Sequence, residues 1–215
     1  MEALRFTTED GVSLEGELHL PDGDARGSAV ICHPHPRGGG SKDHPLLWAI
    51  RNELTLRGLA VLAFNFRGVM RSAGSYGAGR TEVRDVAAAV GRVREAAEGP
   101  TLVCGWSFGA NVAFREAVAD ERAAALALVG IPLGDAAADL PPLPEASELR
   151  AFDRPVLLLS GEGDAFSTRP ELEGLARSLP RAEISIVPGT DHFFWRREQE
   201  AAALIGGFAE RLLAR

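Results

Sequence analysis

Hydrophobic residues recur along the chain in short runs that are separated by longer mixed segments. The runs occupy residues 29–32, 61–64, 102–104, 125–129, 156–159 and 184–187. Continuous apolar runs of this length are typical of parallel strands that are buried on both faces. Ahead of them, residues 4–8 and 12–20 flank Glu9-Asp10-Gly11. Apolar and polar residues alternate in the second of these segments, which predicts an antiparallel hairpin.

The segments between most of the runs carry a helical pattern. Helices are predicted over residues 45–57, 81–97, 110–119, 171–179 and 199–213. Within the second, the valines at positions 83, 86, 90 and 93 follow at steps of three and four residues and share one helix face. Strands that alternate with helices predict an α/β fold: a mostly parallel sheet with helices on both faces, in a single domain over residues 1–215.

One segment, residues 132–155, has no clear periodicity and is rich in Pro, Ala and Asp. A segment of this length forms at most a loop or a short helix. We therefore expect a minimal cap or none above the carboxyl ends of the strands, where open α/β sheets bind ligands.

Composition narrows the classes of protein that fit. The chain is 46% hydrophobic and 25% charged, as is ordinary for a globular domain. A net charge of −7 argues against nucleic acid or an anionic membrane as the main partner. The N-terminus shows no signal-peptide pattern, and no apolar run approaches the ~20 residues needed to span a bilayer. We expect a cytoplasmic protein in which Cys32 and Cys104 are buried thiols.

The most informative motif lies at residues 105–109, which read Gly-Trp-Ser-Phe-Gly. This G-x-S-x-G spacing follows a predicted strand and precedes a predicted helix, which is the context of a nucleophile elbow. In such a turn the serine sits at the tip in strained backbone, and the glycines let neighbouring chains pass closely. Ser107 is therefore the candidate nucleophile.

A serine needs a base to remove its proton and a third group to orient that base. Among the five histidines, His192 follows the last predicted strand on a loop that opens the final helix. The carboxyl ends of parallel strands meet at one edge of a sheet, so His192 is expected beside Ser107.

The orienting acid is expected after a neighbouring strand. Asp164 follows the run at 156–159, and two glycines allow the intervening turn. The chain order Ser107, Asp164, His192 is the serine–acid–histidine order of a known triad arrangement. Three other carboxylates stand nearby as alternatives: Asp135, Glu162 and Asp191.

Two backbone N–H groups are needed to bind a developing oxyanion. Phe108 supplies one because it follows the nucleophile directly. The loop after the first parallel strand reads His33-Pro34-His35-Pro36, and proline has no N–H, so His35 is the donor expected between the two prolines. The glycines at 38–40 predict a close approach of this loop to substrate or to the elbow.

Two other groups of polar residues have alternative interpretations. His33, His35 and His44 are possible zinc ligands, but no Cys or carboxylate spacing supports a metal site, so neither metal nor cofactor is expected. Arg67 follows another predicted strand; it either contacts an acidic substrate or, as we favour, pairs with a carboxylate such as Asp85 and holds its loop in place.

Together these motifs resemble the α/β-hydrolase superfamily. More narrowly, they resemble the small bacterial serine hydrolases with an H-P-H-P loop, which are similar to dienelactone hydrolases but have serine as the nucleophile. The resemblance rests on five motifs in the expected order: His33–Pro36, Asn65–Gly68, Gly105–Gly109, Gly161–Asp164 and Asp191–Phe194. It implies an eight-stranded sheet with strand 2 antiparallel, the Ser107–Asp164–His192 triad, and a carboxylic-ester hydrolase with little or no cap.

The expected function is the cleavage of carboxylic esters with short to medium acyl chains, through an acyl-enzyme. The expected partner is the small-molecule ester alone, and the protein is expected to be a monomer or a homodimer. Trp106, Gly38, Gly39 and Phe193 are the predicted substrate-binding residues. Thioesterases, amidases and lactonases share the same triad and remain alternatives. A non-enzymatic binding module on the same fold is a further alternative, although no triad residue is missing.

Overall fold

Eight strands form a single sheet in the computed structural model, which describes residues 1–214. The strands are β1 (Glu2–Thr7), β2 (Ser13–His19), β3 (Gly27–Cys32), β4 (Leu59–Phe64), β5 (Thr101–Trp106), β6 (Ala125–Val129), β7 (Val156–Gly161) and β8 (Ala182–Val187). Their order across the sheet is β1-β2-β4-β3-β5-β6-β7-β8.

Only β2 runs against the other strands. It pairs antiparallel with β1 on one side and with β4 on the other, and each of the remaining neighbouring pairs is parallel. The expected eight-stranded sheet with an antiparallel second strand is confirmed. The carboxyl ends of the parallel strands, and with them the loops after β3, β5, β7 and β8, therefore lie along one edge.

Within residues 1–214, six α-helices cover both faces of the sheet. They are α1 (Pro45–Leu56), α2 (Glu82–Arg94), α3 (Phe108–Ala119), α4 (Ala146–Ala151), α5 (Arg169–Arg177) and α6 (Glu198–Leu213). Helices α1 and α6 pack on one face, and α2, α3 and α5 bury their apolar residues against the other. All residues of β3 to β7 are buried, as the continuous apolar runs predict.

The segment at 132–155 adds no domain above the sheet edge. It contains a short 3-10 helix, Gly134–Ala137, and the six-residue α4. Leu149 and Phe152 join the core beneath α3, and the side-chain amide of Asn111 donates to the carbonyl of Pro141 at 3.2 Å. The predicted open sheet with a minimal cap is confirmed.

The loop after β4 is held by a buried ion pair. Arg67, which is 5% exposed, donates through Nε and Nη2 to Oδ1 of Asp85 at 2.8 and 2.7 Å, and Nη1 reaches Asp10 at 2.9 Å. The expected pairing with Asp85 is therefore present. None of the helices within residues 1–214 is both long and apolar enough to cross a bilayer.

Candidate active site

Ser107 occupies a strained turn between β5 and α3. Its φ and ψ angles are 55° and −120°, a region that side-chain-bearing residues rarely adopt and that costs of the order of 1–3 kcal/mol. Helix α3 begins at the next residue, Phe108, two positions earlier than the sequence pattern indicates. The positive end of the helix dipole consequently lies directly behind the serine.

The two glycines of the motif are required by close backbone contacts. A Cβ atom at Gly105 would lie 2.4 Å from the carbonyl oxygen of Gly109, and one at Gly109 would lie 2.4 Å from the carbonyl oxygen of Cys32. Contacts this short do not occur between real side chains and backbone, so only glycine fits. The elbow therefore packs directly against the end of β3, where the His33–Pro36 loop begins.

His192 lies within hydrogen-bond distance of the serine. Its Nε2 atom is 2.9 Å from Oγ of Ser107, and the residue is 5% exposed. The indole Nε1 of Trp106 donates to the backbone carbonyl of His192 at 3.1 Å, which fixes the histidine loop to the strand that carries the nucleophile. Strand β5 thus positions both partners.

Asp164 contacts the opposite nitrogen of the imidazole. Its Oδ2 and Oδ1 atoms lie 2.9 and 3.1 Å from Nδ1 of His192. The hydroxyls of Ser160 and Ser167 donate to Oδ2, and the N–H of Phe166 donates to Oδ1 at 2.8 Å. Burial alone would raise the pKa of Asp164, but the His192 ring and these donors outweigh burial and hold the pKa below its ordinary value.

The other carboxylates considered for this role are engaged elsewhere or lie apart. Glu162 accepts from the N–H of Gly189 at 3.0 Å, and Asp191 accepts from the N–H of Phe193 at 2.9 Å. Asp135 lies in the 3-10 helix Gly134–Ala137. Among the four candidates, Asp164 is the one that the structure brings to His192.

The N–H groups of Phe108 and His35, which lie beside the serine, have no hydrogen-bond acceptor among residues 1–214. The rings of these residues are in contact, with centroids 5.2 Å apart, so the two backbone segments are neighbours. Free donors that converge near a nucleophile are what an oxyanion site requires.

The loop that carries His35 is held in place by hydrogen bonds of the neighbouring His33. His33 is buried; its Nδ1 lies 2.7 Å from the carbonyl of Pro34, and its Nε2 accepts from the N–H of Phe66 at 3.0 Å. Burial lowers the pKa of His33 to about 4, so the ring is neutral at physiological pH. His44 instead caps α1 through Nδ1. Within residues 1–214 no cluster of three or more potential ligands could hold a metal ion.

The His35 side chain links the loop to a tyrosine. Its Nδ1 accepts from the N–H of Arg37 at 3.1 Å, so the proton resides on Nε2, which lies 2.9 Å from the hydroxyl of Tyr76. The Tyr76 oxygen is thus the acceptor, and its own proton is free to donate to another group. The Arg37 guanidinium lies 4.7 Å from the centre of the Tyr76 ring.

The predicted substrate-binding residues lie in different surroundings. Trp106 is 2% exposed and packs against His44, so its ring offers almost no surface to a substrate and instead supports His192. Phe193 is 44% exposed beside His192. Gly38 and Gly39 are exposed, and a Cβ atom on either would meet nothing within 4 Å.

The three glycines were predicted to bring this loop close to substrate or to the elbow, and at Gly38 and Gly39 no atom of the elbow lies within 4 Å of the position of a Cβ atom. Gly39 ends the short 3-10 helix Pro36–Gly38 with a φ angle of 80°, a conformation that glycine adopts readily. Gly40 makes the close approach, since a Cβ atom there would lie 2.2 Å from the carbonyl oxygen of Pro34. Gly39 and Gly40 thus shape the loop itself, and an approach of the loop to substrate stays a prediction.

Two important residues of the site were missed by the sequence reasoning. A Cβ atom at Gly130, at the end of β6, would lie 2.9 Å from Nδ1 and Cε1 of His192. The ring of Phe166 lies 4.4 Å from the imidazole of His192. Gly130 follows an apolar run, which was an available signal, whereas nothing in the spacing of Phe166 relates it to His192.

Two surface grooves lie apart from these residues. One of about 630 Å³ lies between α2, α3 and residues 142–148, and another of about 800 Å³ lies beside β1 and β2. Neither is lined by Ser107, Asp164 or His192. The candidate site is instead an open one, at the sheet edge.

Known proteins are similar to this chain in sequence and in fold. Residues 28–207 match the family model described as "Alpha/beta hydrolase domain". An alpha-beta serine hydrolase homologue from Coxiella burnetii is 27% identical, with 96% of each chain covered and a TM-score of 0.83. A serine hydrolase without a lid from Xanthomonas campestris is also 27% identical, over 98% of this chain and 94% of the other, with a TM-score of 0.81.

An esterase from Pyrococcus furiosus has the same fold at lower identity. It is 21% identical over 99% of this chain and 92% of the other, with a TM-score of 0.81. At this identity the likeness shows a common architecture only.

Proposed function

Since the chain belongs to the alpha/beta hydrolase family, we propose that it is a serine hydrolase that cleaves carboxylic esters through an acyl-enzyme. One observation carries this proposal: the continuous contact from Asp164 to His192 at 2.9 Å and from His192 to Ser107 at 2.9 Å. A hydroxyl, an imidazole and a carboxylate in this order are the groups that nucleophilic acyl transfer requires.

In the acylation step, Oγ of Ser107 attacks the ester carbonyl carbon while its proton passes to Nε2 of His192. Asp164 accepts a hydrogen bond from Nδ1–H, which keeps Nε2 free as the acceptor and stabilises the imidazolium that forms. The lowered pKa of Asp164 keeps that carboxylate ionised at neutral pH. The tetrahedral intermediate then collapses, Nε2–H gives its proton to the leaving oxygen, and the alcohol departs.

The carbonyl oxygen becomes an oxyanion in that intermediate. The free N–H groups of Phe108 and His35 are the proposed donors. Because both are backbone groups, no ordinary side-chain substitution removes them. Loss of one such donor typically costs about 10²–10³ in turnover.

Water completes the reaction. His192 removes a proton from a water molecule, the hydroxide attacks the acyl carbon, and the carboxylic acid leaves as Ser107 recovers its proton. The open edge above Ser107 gives water direct access to the acyl-enzyme.

Short to medium acyl chains are the proposed substrates. Phe193 and the exposed backbone at Gly38 and Gly39 remain predicted substrate contacts. Thioesters, amides and lactones present the same carbonyl, so a panel of all four substrate classes is the measurement that assigns the preferred one. A cytoplasmic location and a monomeric or homodimeric state also stay predictions.

The proposal is tested by replacement of the nucleophile. Ser107→Ala is expected to reduce kcat for 4-nitrophenyl butyrate by about 10⁶-fold, since the covalent step is lost. Ser147→Ala, at an exposed position in α4, is the matched control and is expected to leave the rate unchanged.

A fluorophosphonate probe supplies an independent readout. Labelling of the wild type and of Ser147→Ala, but not of Ser107→Ala, is the expected result. Equal ester turnover by the wild type and Ser107→Ala, or a wild type that fails to label, would show that Ser107 is not the nucleophile.

A further inference from the structure

Two half-exposed phenyl rings flank the imidazole of His192. The Phe166 ring centroid lies 4.4 Å from that of His192 with the planes at 31°, and the Phe193 centroid lies at 5.6 Å with the planes at 88°. Phe166 is 41% exposed and Phe193 is 44% exposed. Each ring therefore contacts the base on one side and retains apolar surface in contact with solvent.

The backbone holds Phe166 on both sides of its Cα atom. Its N–H donates to Oδ1 of Asp164 at 2.8 Å, and its carbonyl accepts from the N–H of Leu133 at 2.8 Å. The same segment thus orients the acid of the triad and presents the ring. The backbone that carries this exposed ring is therefore held in place beside the triad.

Phe193 is held outward by a strained turn. Phe194 is fully buried in the core with a φ angle of 55°, and Arg196 has a φ angle of 64°. A bulky residue in this region is an outlier, and each such residue costs of the order of 1–3 kcal/mol. Strain of this kind persists only where the surroundings enforce it. Here the anchored Phe194 directs the preceding ring to the surface beside His192.

The chemistry decides which part of a substrate meets these rings. When the ester bond breaks, the leaving oxygen takes its proton from Nε2 of His192, so this oxygen lies within hydrogen-bond distance of that atom. The alcohol part of the ester consequently lies on the His192 side, against Phe166 and Phe193. The acyl part extends from the carbonyl carbon away from His192.

From this geometry we propose that Phe166 and Phe193 form the binding surface for the alcohol part of the substrate, and that the enzyme favours esters of alcohols that carry an aromatic ring. The inference rests on the proposed function. Ring pairs in offset or edge-to-face contact each contribute the equivalent of about a two- to tenfold change in binding. Because these rings lie beside the leaving oxygen, they select between esters of different alcohols. They do not select between different acyl groups.

Two isomeric esters separate the sides of the site. The phenyl ring of 2-phenylethyl acetate is in the alcohol, and that of methyl 3-phenylpropanoate is in the acyl group. Hydrolysis of both is measured by product release for the wild type, Phe166→Ala, Phe193→Ala and the control Leu56→Ala, which truncates an exposed apolar residue at the end of α1.

We expect each phenylalanine variant to lose about two- to tenfold in kcat/KM for 2-phenylethyl acetate. Any loss with methyl 3-phenylpropanoate reports the support that the ring gives to His192 and is expected to be smaller, so that the ratio of kcat/KM for the two esters falls by about two- to tenfold. Leu56→Ala is expected to match the wild type with both. An equal loss with both esters would mean that the rings only support His192, and would overturn the inference while leaving the proposed function intact. Unchanged rates with both would also overturn it. A wild type that hydrolyses neither ester and does not label with fluorophosphonate would refute the proposed function and the inference together.

Discussion

At the scale of single residues, the candidate site depends on a glycine as well as on its three polar side chains. Ser107, His192 and Asp164 are in contact because Gly130 leaves room for the imidazole. The φ angle of 50° at Gly130 also favours glycine. A residue with no functional group therefore sets the distance between the base and its partners.

Gly130→Ala is expected to lower kcat for 4-nitrophenyl butyrate by roughly 10²-fold, because a displacement of a catalytic group by about 1 Å has this effect. The new methyl group would lie 2.9 Å from the imidazole and must push His192 away from Ser107. Gly174→Ala, where the nearest atom is 3.8 Å away, is the matched control. Wild-type kcat in a folded Gly130→Ala protein, judged by circular dichroism, would contradict the prediction.

At the residue level, the sequence indicated which side chains lie close together where strand ends meet at one edge of the sheet, but not where the conformation of a loop decides. Asp164 and His192 follow strands that end at the same edge, so their approach to Ser107 was accessible from the chain order. The position of Phe166 depends on how the acid loop folds after Asp164, which no residue spacing encodes. The positive φ angle of Phe194 was also hidden, since glycine usually occupies such positions.

At the scale of elements, the order of strands and helices was predictable from two patterns. The buried strands are continuous apolar runs, and the helices have apolar residues at steps of three and four. The boundaries were less so. Helix α5 begins at Arg169, two residues before the predicted start, because Thr168 and Glu171 form a capping box and Pro170 fits the first turn. Helix α3 begins at Phe108. It packs so close to β3 that its second residue, Gly109, has no room for a side chain.

Two glycines in helices are expected to respond oppositely to alanine. Gly109→Ala should lower the free energy of unfolding by about 1–3 kcal/mol, because its methyl group would overlap the Cys32 carbonyl. Gly207→Ala in α6 should raise it by up to ~1 kcal/mol, since alanine favours helix and the nearest atom is the flexible end of Arg211 at 4.0 Å. Urea unfolding measures both. Equal shifts for the two variants would show that the elbow contact has no special cost.

At the scale of the whole molecule, one buried carboxyl makes stability depend on pH. Glu116 in α3 is 4% exposed, and neither of its carboxyl oxygens has a hydrogen-bond partner among residues 1–214. Burial, and then the nearby Asp120, raise the pKa of Glu116 from 4.5 to about 8. Between these two values the folded state holds a proton that the unfolded state releases, so stability falls as pH rises through that window.

Glu116→Gln removes this dependence. Between pH 5 and pH 8 the wild type should lose on the order of 3 kcal/mol more unfolding free energy than the variant, because only the wild type must either retain the proton or bury a charge. Urea unfolding at several pH values measures the difference, with the exposed Glu121→Gln as the control. Parallel pH profiles for the wild type and Glu116→Gln would contradict the prediction.

The minimal cap at 132–155 has a consequence for which step limits turnover. Enzymes that close a lid over the substrate are often limited by the opening of that lid, on a timescale of microseconds to milliseconds. Residues 1–214 contain no lid domain above the sheet edge, so on the proposed mechanism we expect bond making and breaking, and not the opening of a lid, to limit turnover. If the proposed acyl-enzyme forms, its acyl carbon is open to other nucleophiles in the medium, and we expect added methanol or glycerol to compete with water and yield the corresponding ester, measured by product analysis.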